Sequence, residues 1–271
     1  MLFRSRGETT TALSYDWASS ILTTTVSAST QIEFEGKNIS IYNAIPVTFD
    51  GQFLDDFDAG LKPGWIEHPK SFPGSSRWIV EGGKYRTRET GDNESINGCE
   101  HLKNYEVLVN IQKSTDHAQG DYFGLIFRSP PDLNNATSGY FMVRVVCFSC
   151  EGTNSSNHRY RLELVDKQGP YDSVLASVDL EPSEFSFLAG EDYTLKAIVT
   201  DDVLIGKFWK SSELEPSDDP DDTPKPAEGL DPARNGLTIK ASDSSYSQGK
   251  IGLASNTSKN TFDNLVVKPL S

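Results

Sequence analysis

The chain has 271 residues and a formal charge of −14, with 39 acidic side chains against 25 basic ones. That length suits one large β domain, or one domain with an appendage, and suffices for a sizeable core without staples. So acidic a surface repels phosphate backbones and excludes nucleic acid as a partner, and no run approaches the roughly 18 apolar residues of a membrane span.

Residues 1–50 read as a Ser/Thr-rich segment, either a linker or the remnant of a preceding domain. Met1-Leu2-Phe3-Arg4-Ser5-Arg6 lacks the apolar stretch of a signal peptide, so we expect the native N-terminus and its targeting signal to lie upstream. Residues 31–42 read as a hairpin. Ile32 and Phe34 alternate with polar residues, Gly36-Lys37-Asn38 turns, and Ile39 and Ile41 alternate again.

From residue 51 onward strand follows strand. Tyr105, Val107, Val109 and Ile111 alternate with Glu106, Leu108, Asn110 and Gln112. The runs 121–128, 139–147, 158–165, 173–180, 192–199, 202–209, 236–240, 249–254 and 261–268 follow. Each is short, rich in β-branched or aromatic residues, and mostly bounded by turn formers. Many short strands without helices between them predict an all-β antiparallel sandwich or barrel over 51–271. Residues 211–235 interrupt this rhythm. Ser217-Asp218-Asp219-Pro220-Asp221-Asp222-Thr223-Pro224 is acidic and proline-rich, and predicts a solvated insertion between strands.

Cys147-Phe148-Ser149-Cys150 places two of the three cysteines close together. Zinc would need further ligands that the four scattered histidines do not supply, leaving a small local disulfide or two free thiols, with Cys99 left over. Five N-x-Ser/Thr sequons, at Asn38, Asn93, Asn135, Asn154 and Asn256, exceed chance and point to a glycosylated secretory protein. All five fall in or beside predicted turns.

Several elements then occur in one order: Leu54-Asp55-Asp56-Phe57, Trp65, Trp78 to Tyr85, Asn104 to Val107, Gly124 to Arg128, Gly139-Tyr140-Phe141, Tyr193 to Lys196, Gly249 to Leu253 and Phe262 to Val267. This order resembles the concanavalin A-like/laminin G-like jelly-roll superfamily over roughly residues 52–269. It is most like the branch with extracellular sugar-binding modules and keto-disaccharide hydrolase-like domains. The resemblance implies a two-sheet jelly-roll sandwich carrying a short N-terminal β appendage. Its last strand would pair beside its first and close two edges at once. Trp65 and Trp78 would fill the end of the domain as core residues. Relatives often carry a structural calcium where the chain ends meet, which implies Asp55, Asp56 and Asp263 as ligands. The alternative is that these aspartates cap turns.

Alternation also predicts a ligand face. If the strands 121–128, 139–147 and 158–165 are neighbours, Arg128, Tyr140, Arg144, Arg161 and Glu163 share one side while Phe123, Phe141 and Leu162 line the core. Multi-donor arginines beside a tyrosine and a carboxylate suit hydroxyl-rich or acidic sugars. Cross-strand Arg–Glu pairing on a solvated sheet is the plainer alternative.

No catalytic residue emerges. Glycosidases need two facing carboxyls, and the laminarinase-like Glu-x-Asp-x-x-Glu motif has no match. Glu163 and Asp166 fall on opposite faces of one strand. There is no Gly-x-Ser-x-Gly elbow. The leading expectation is a non-catalytic carbohydrate-binding or adhesion module of a larger extracellular protein, with a polysaccharide, oligosaccharide or glycoprotein as partner. The alternatives are a jelly-roll glycoside hydrolase and a purely structural extracellular domain.

Overall fold

In this computed structural model the alternating segments form strands that pair antiparallel. The structure describes residues 54–271 except 63, 69–76, 99, 132, 134–138, 151–157, 169–170, 181–184, 186, 222–235 and 271; within 1–53 it describes only strand backbone. The chain divides into two compact units, Met1–Phe53 and Leu54–Ser271. Among the described residues there is no helix.

In the first unit, β1 (Arg4–Arg6), β4 (Thr30–Phe34) and β5 (Lys37–Ile41) form a three-stranded sheet, and β2 (Leu13–Asp16) pairs with β3 (Ile21–Thr24). The β4–β5 pair is the hairpin that alternation predicts, whereas the Ser/Thr-rich stretch before it gave no sign of β1 to β3.

The second unit contains β6 (Phe53–Asp55), β7 (Ile66–His68), β8 (Trp78–Glu81), β9 (Lys84–Thr87), β10 (Asn93–Asn97) and β11 (Tyr105–Lys113). These lead into β12 (Tyr122–Ser129), β13 (Gly139–Ser149), β14 (Arg159–Gln168), β15 (Tyr171–Leu180) and β16 (Asp192–Thr200). The series ends with β17 (Val203–Lys210), β18 (Gly236–Ser242), β19 (Lys250–Ser255) and β20 (Asn260–Pro269). One seven-stranded sheet runs β15-β14-β13-β12-β19-β10-β7, and the other runs β18-β17-β16-β11-β20-β9-β8, with β6 also paired to β20. First and last strands therefore meet, and the pairing removes the free edge each would otherwise present.

The core lies between these sheets. In β11 the residues Tyr105, Val107, Val109 and Ile111 are buried, while Glu106, Leu108, Asn110 and Gln112 are half-buried on the other side. Opposite them stand Phe123, Leu125 and Phe127, then Phe141, Val143 and Val145, then Leu162 and Leu164, all at 0% exposure. Burying each of these side chains contributes about 1.5–3 kcal/mol. The sheets approach closely at Gly206, where a Cβ would stand 2.5 Å from Val143 Cγ2. An aromatic network fills one end: Phe208 stacks on Tyr193 at 5.4 Å, and Phe187 meets both rings edge-on. At the other end Trp78 stacks on Tyr85 at 4.9 Å, and Trp65 packs against Tyr85 and Phe57. Trp78 is thus a core residue, while Trp65 packs there half-buried.

The acidic insertion departs from the sequence expectation. Its first part, 211–221, does not simply lie in solvent. Lys207 Nζ donates to Glu215 Oε1 at 2.7 Å and to the Pro216 carbonyl at 2.7 Å, and also pairs with Asp218. Residues 222–235 lie outside the described residues.

Candidate functional site

Strict alternation gives the seven-stranded sheet a second face, turned away from the core. Register carries one row across it: His68 opposite Glu94, Glu94 opposite Ala254, Ala254 opposite Gly124, Gly124 opposite Arg144, and Arg144 opposite Glu163. The middle of that row holds only Ala254 and Gly124, both buried. A Cβ on Gly124 would sit 2.8 Å from the Val143 carbonyl, so no larger residue fits there. Its flanks stand three strands apart, roughly 14 Å between backbones. Beside the row lie Ile96, Ile126 and Met142, each buried.

The flanks carry polar chemistry. Glu94 is 5% exposed and accepts a hydrogen bond from the Tyr140 hydroxyl, while its other oxygen lies 3.1 Å from His68 Nδ1. The Tyr122 hydroxyl donates to exposed Asp92 at 3.1 Å. The Arg144 guanidinium lies over the Tyr122 ring, 5.5 Å from its centroid. It donates through Nε to Glu163 at 2.8 Å and through Nη1 to Asp172 at 2.7 Å. Lys167 Nζ adds a 3.2 Å bond to Asp172.

These contacts shift the titrating groups in consistent directions. Burial, then the Glu94 carboxylate, pushes the Tyr140 hydroxyl well above its ordinary range. Burial, then Asp92 and Glu94, does the same to Tyr122. Burial lowers Arg144, but Glu163 and Asp172 outweigh it and raise the guanidinium. Burial raises Asp172, yet Arg144 and Lys167 more than offset it and hold the carboxyl below the usual range. The tyrosines stay neutral donors, and Arg144 stays charged.

Tyr140, Arg144, Arg161 and Glu163 share this face as alternation predicts. Arg161 stands at its rim, bonded to Asp179 Oδ1 at 2.5 Å and stacked 4.4 Å from the Phe148 ring centroid. Arg128 does not belong here. The β12–β19 register shifts between Ile126 and Ser129, and Arg128 adopts φ 52°, which ends the alternation. Its side chain is 2% exposed and donates to the carbonyls of Tyr246 and Lys103. Gly249 permits this close passage, since a Cβ there would stand 2.4 Å from the Arg128 carbonyl carbon. Sequence reasoning missed Asp92, Glu94, Tyr122, His68 and Asp172. Tyr122 was legible, two residues before Gly124 on the same side, whereas Glu94 lies in a strand with no apolar pattern.

Two of the three aspartates implied as calcium ligands already accept hydrogen bonds from the protein. Asp55 is 1% exposed; its Oδ1 accepts the Phe57 amide at 3.2 Å and its Oδ2 accepts Trp65 Nε1 at 2.9 Å. Asp56 is exposed, and Asp263 Oδ1 accepts the Asn264 amide at 2.8 Å. Among the described residues no three His, Cys, Asp or Glu side chains form a metal-holding group. Asp55 and Asp263 each accept the amide of a residue one or two positions on, the arrangement of a turn cap.

Cys147 and Cys150 form a disulfide with Cα atoms 5.9 Å apart, an ordinary spacing for such a bridge. Asn93 is a correction. It starts β10 at 0% exposure and its Nδ2 donates to the carbonyls of Glu89 and Gly91, so a glycan has no room there. Asn256 is partly exposed, but its side chain bonds the Tyr122 amide and the Gly120 carbonyl. Asn135, Asn154 and Cys99 lie outside the described residues, as does the side chain of Asn38.

No family model matches the chain. No curated protein sequence matches it. Solved structures do. The VIP36 exoplasmic/lumenal domain in a Ca2+/Man2-bound form overlaps with a TM-score of 0.54 at 11% identity, covering 82% of this chain and 89% of that one. The CBM2 module of the evolved Dit from Lactobacillus casei BL23 phage J-1 overlaps with a TM-score of 0.52 at 10% identity, covering 81% of this chain and 96% of that one. The likeness shows the fold: like these structures, this chain forms a two-sheet antiparallel jelly-roll sandwich.

Proposed function

We propose that this chain is a non-catalytic carbohydrate-binding module of a larger extracellular or lumenal protein, and that it binds through the outer face of the seven-stranded sheet. One observation carries the reading. Two neutral tyrosine hydroxyls, four carboxylates and a stacked guanidinium are gathered on one sheet face around the buried Gly124 and Ala254. Burying so many polar groups is costly unless each is bonded, and here each is held in place beforehand. Preset donors and acceptors over an apolar and aromatic floor suit a sugar, which offers hydroxyls at its edge and C–H groups on its face. The Cys147–Cys150 disulfide supports an oxidising compartment.

Calorimetry against sugars selected on a glycan array tests this. Arg144→Ala and Tyr122→Phe should each weaken binding by about tenfold or more, roughly 1.4 kcal/mol. Binding should survive a chelator, because these flanks recognise the ligand without a metal. A wild-type chain that binds no sugar overturns the proposal.

A further inference from the structure

The charges on this face bear on which sugars it can take. Its carboxylates are Asp92, Glu94, Glu163 and Asp172, with Asp179 at the rim, and its cations are Arg144 and Lys167, with Arg161 at the rim. All three cations are paired, Arg161 with Asp179 at 2.5 Å. Arg144 is bonded at 2.8 Å to Glu163 and at 2.7 Å to Asp172, and its plane is covered by Tyr122. Lys167 is bonded to Asp172 at 3.2 Å. An incoming carboxylate or sulfate would have to displace a carboxylate that is already seated in a partly buried pair, with its own charge repelled by the others. Acceptor capacity is in surplus instead. Asp92 is exposed and receives one bond from Tyr122; each carboxylate oxygen can accept more than one donor. The whole chain adds its charge of −14 to the same field.

Resting on the carbohydrate reading above, we infer that the face selects sugars bearing no carboxylate, sulfate or phosphate, and holds them through hydroxyl groups that donate to Asp92 and Glu94. Arg144 and Lys167 are committed to Glu163 and Asp172 and do not serve as anion anchors. This narrows the sequence expectation, which admitted acidic sugars, because Arg144 and Glu163 form the cross-strand pair that was the alternative there.

The test uses the full chain without substitution. It is titrated by calorimetry with an uncharged mannan, glucan and fructan, and with polygalacturonate and a sulfated glycan, each at low and at high salt. An uncharged glycan should bind with an affinity that changes by less than about twofold with salt, since no counterions are released on a neutral ligand. The acidic glycans should bind at least about tenfold more weakly than it. Equal or tighter binding of an acidic glycan, weakening with salt, overturns the inference while leaving the carbohydrate reading intact. No binding to any member of the panel overturns the carbohydrate reading itself.

Discussion

His117 sits at the end of the core with 3% exposure, its ring 5.8 Å from Phe187 and 5.7 Å from Tyr160. Nε2 lies 2.8 Å from Asn260 Oδ1, and among the described residues Nδ1 has no hydrogen-bond partner. Burial, with help from Lys113 and Lys259 and against Asn260 and Asp121, lowers its pKa from 6.5 to about 4. The unfolded chain therefore takes up this proton at a higher pH than the folded one. The stabilisation is complete above 6.5 and is lost as pH falls toward 4, about 2 kcal/mol between pH 7 and pH 4.5. Urea unfolding of the wild type and of His117→Gln at both pH values measures it. The variant should lose that much less stability on acidification; parallel losses would remove His117 as the cause. The same scale shows where a sequence stops being legible. Tyr140, Arg144 and Glu163 reached the expected face because alternation holds through β13 and β14. Arg128 did not, because a single left-handed residue at φ 52° reverses what spacing implies. Asn93 looked like a glycan acceptor because burial is not written in a three-residue motif.

Among the elements, the stretch after β17 shows how an acidic run becomes structural. Glu215 bridges Lys196 at 3.0 Å and Lys207 at 2.7 Å, and Glu106 holds Lys196 from the next strand at 2.7 Å. Burial opposes the carboxylate form of Glu215, but the two lysines outweigh it and hold its pKa low. Lys207 is 2% exposed, so removing its partner costs more than removing the cation. Glu215→Ala should destabilise by about 1–3 kcal/mol, and Lys207→Met by less. Denaturant midpoints of the two variants give the order, and the reverse order would mean that the pair contributes little. The turn at Cys147–Cys150 behaves differently. Gln119 and Gly120 bond across it to Phe148, Cys150 and Cys147, so the turn is held without the bridge. The bridge also closes a very short loop. The double Cys→Ser variant should lose at most about 2 kcal/mol; a larger fall in the melting curve would show that the bridge carries the turn. Strand β10 is, with β1 to β3, an element that sequence missed. Asn93-Glu94-Ser95-Ile96-Asn97 has poor strand propensity, yet all five residues are buried. Its polar groups find partners that only the fold provides, such as Tyr85, whose hydroxyl lies 2.9 Å from Ser95 Oγ. A strand whose stability comes from tertiary hydrogen bonds leaves no hydrophobic period to read, and Glu94, central to the site, was lost with it.

For the whole molecule, alternation in β11 to β17 was enough to place two layers and the core between them. Phe53 to Phe57 and the final strand, read through the resemblance, gave the closure of the sandwich. What alternation cannot give is which outer face is worked into a site, since that depends on strand order: β10 reaches β12 only through β19, from the far end of the chain. The core itself is a continuous apolar filling, and Phe208, at 0% exposure between Tyr193, Phe185, Phe187 and Phe123, is one of its joints. Phe208→Ala should cost about 3–5 kcal/mol, read from urea unfolding. The claim on which function depends is the location of the binding face. Amide hydrogen exchange with and without a saturating uncharged glycan tests it most directly. The account predicts new protection over Asp92–Asn97, Tyr122–Ile126 and Tyr140–Arg144, and none over Asp192–Lys210 on the opposite sheet. Protection confined to the opposite sheet, with the segments around Glu94, Tyr122 and Arg144 unchanged, would contradict it.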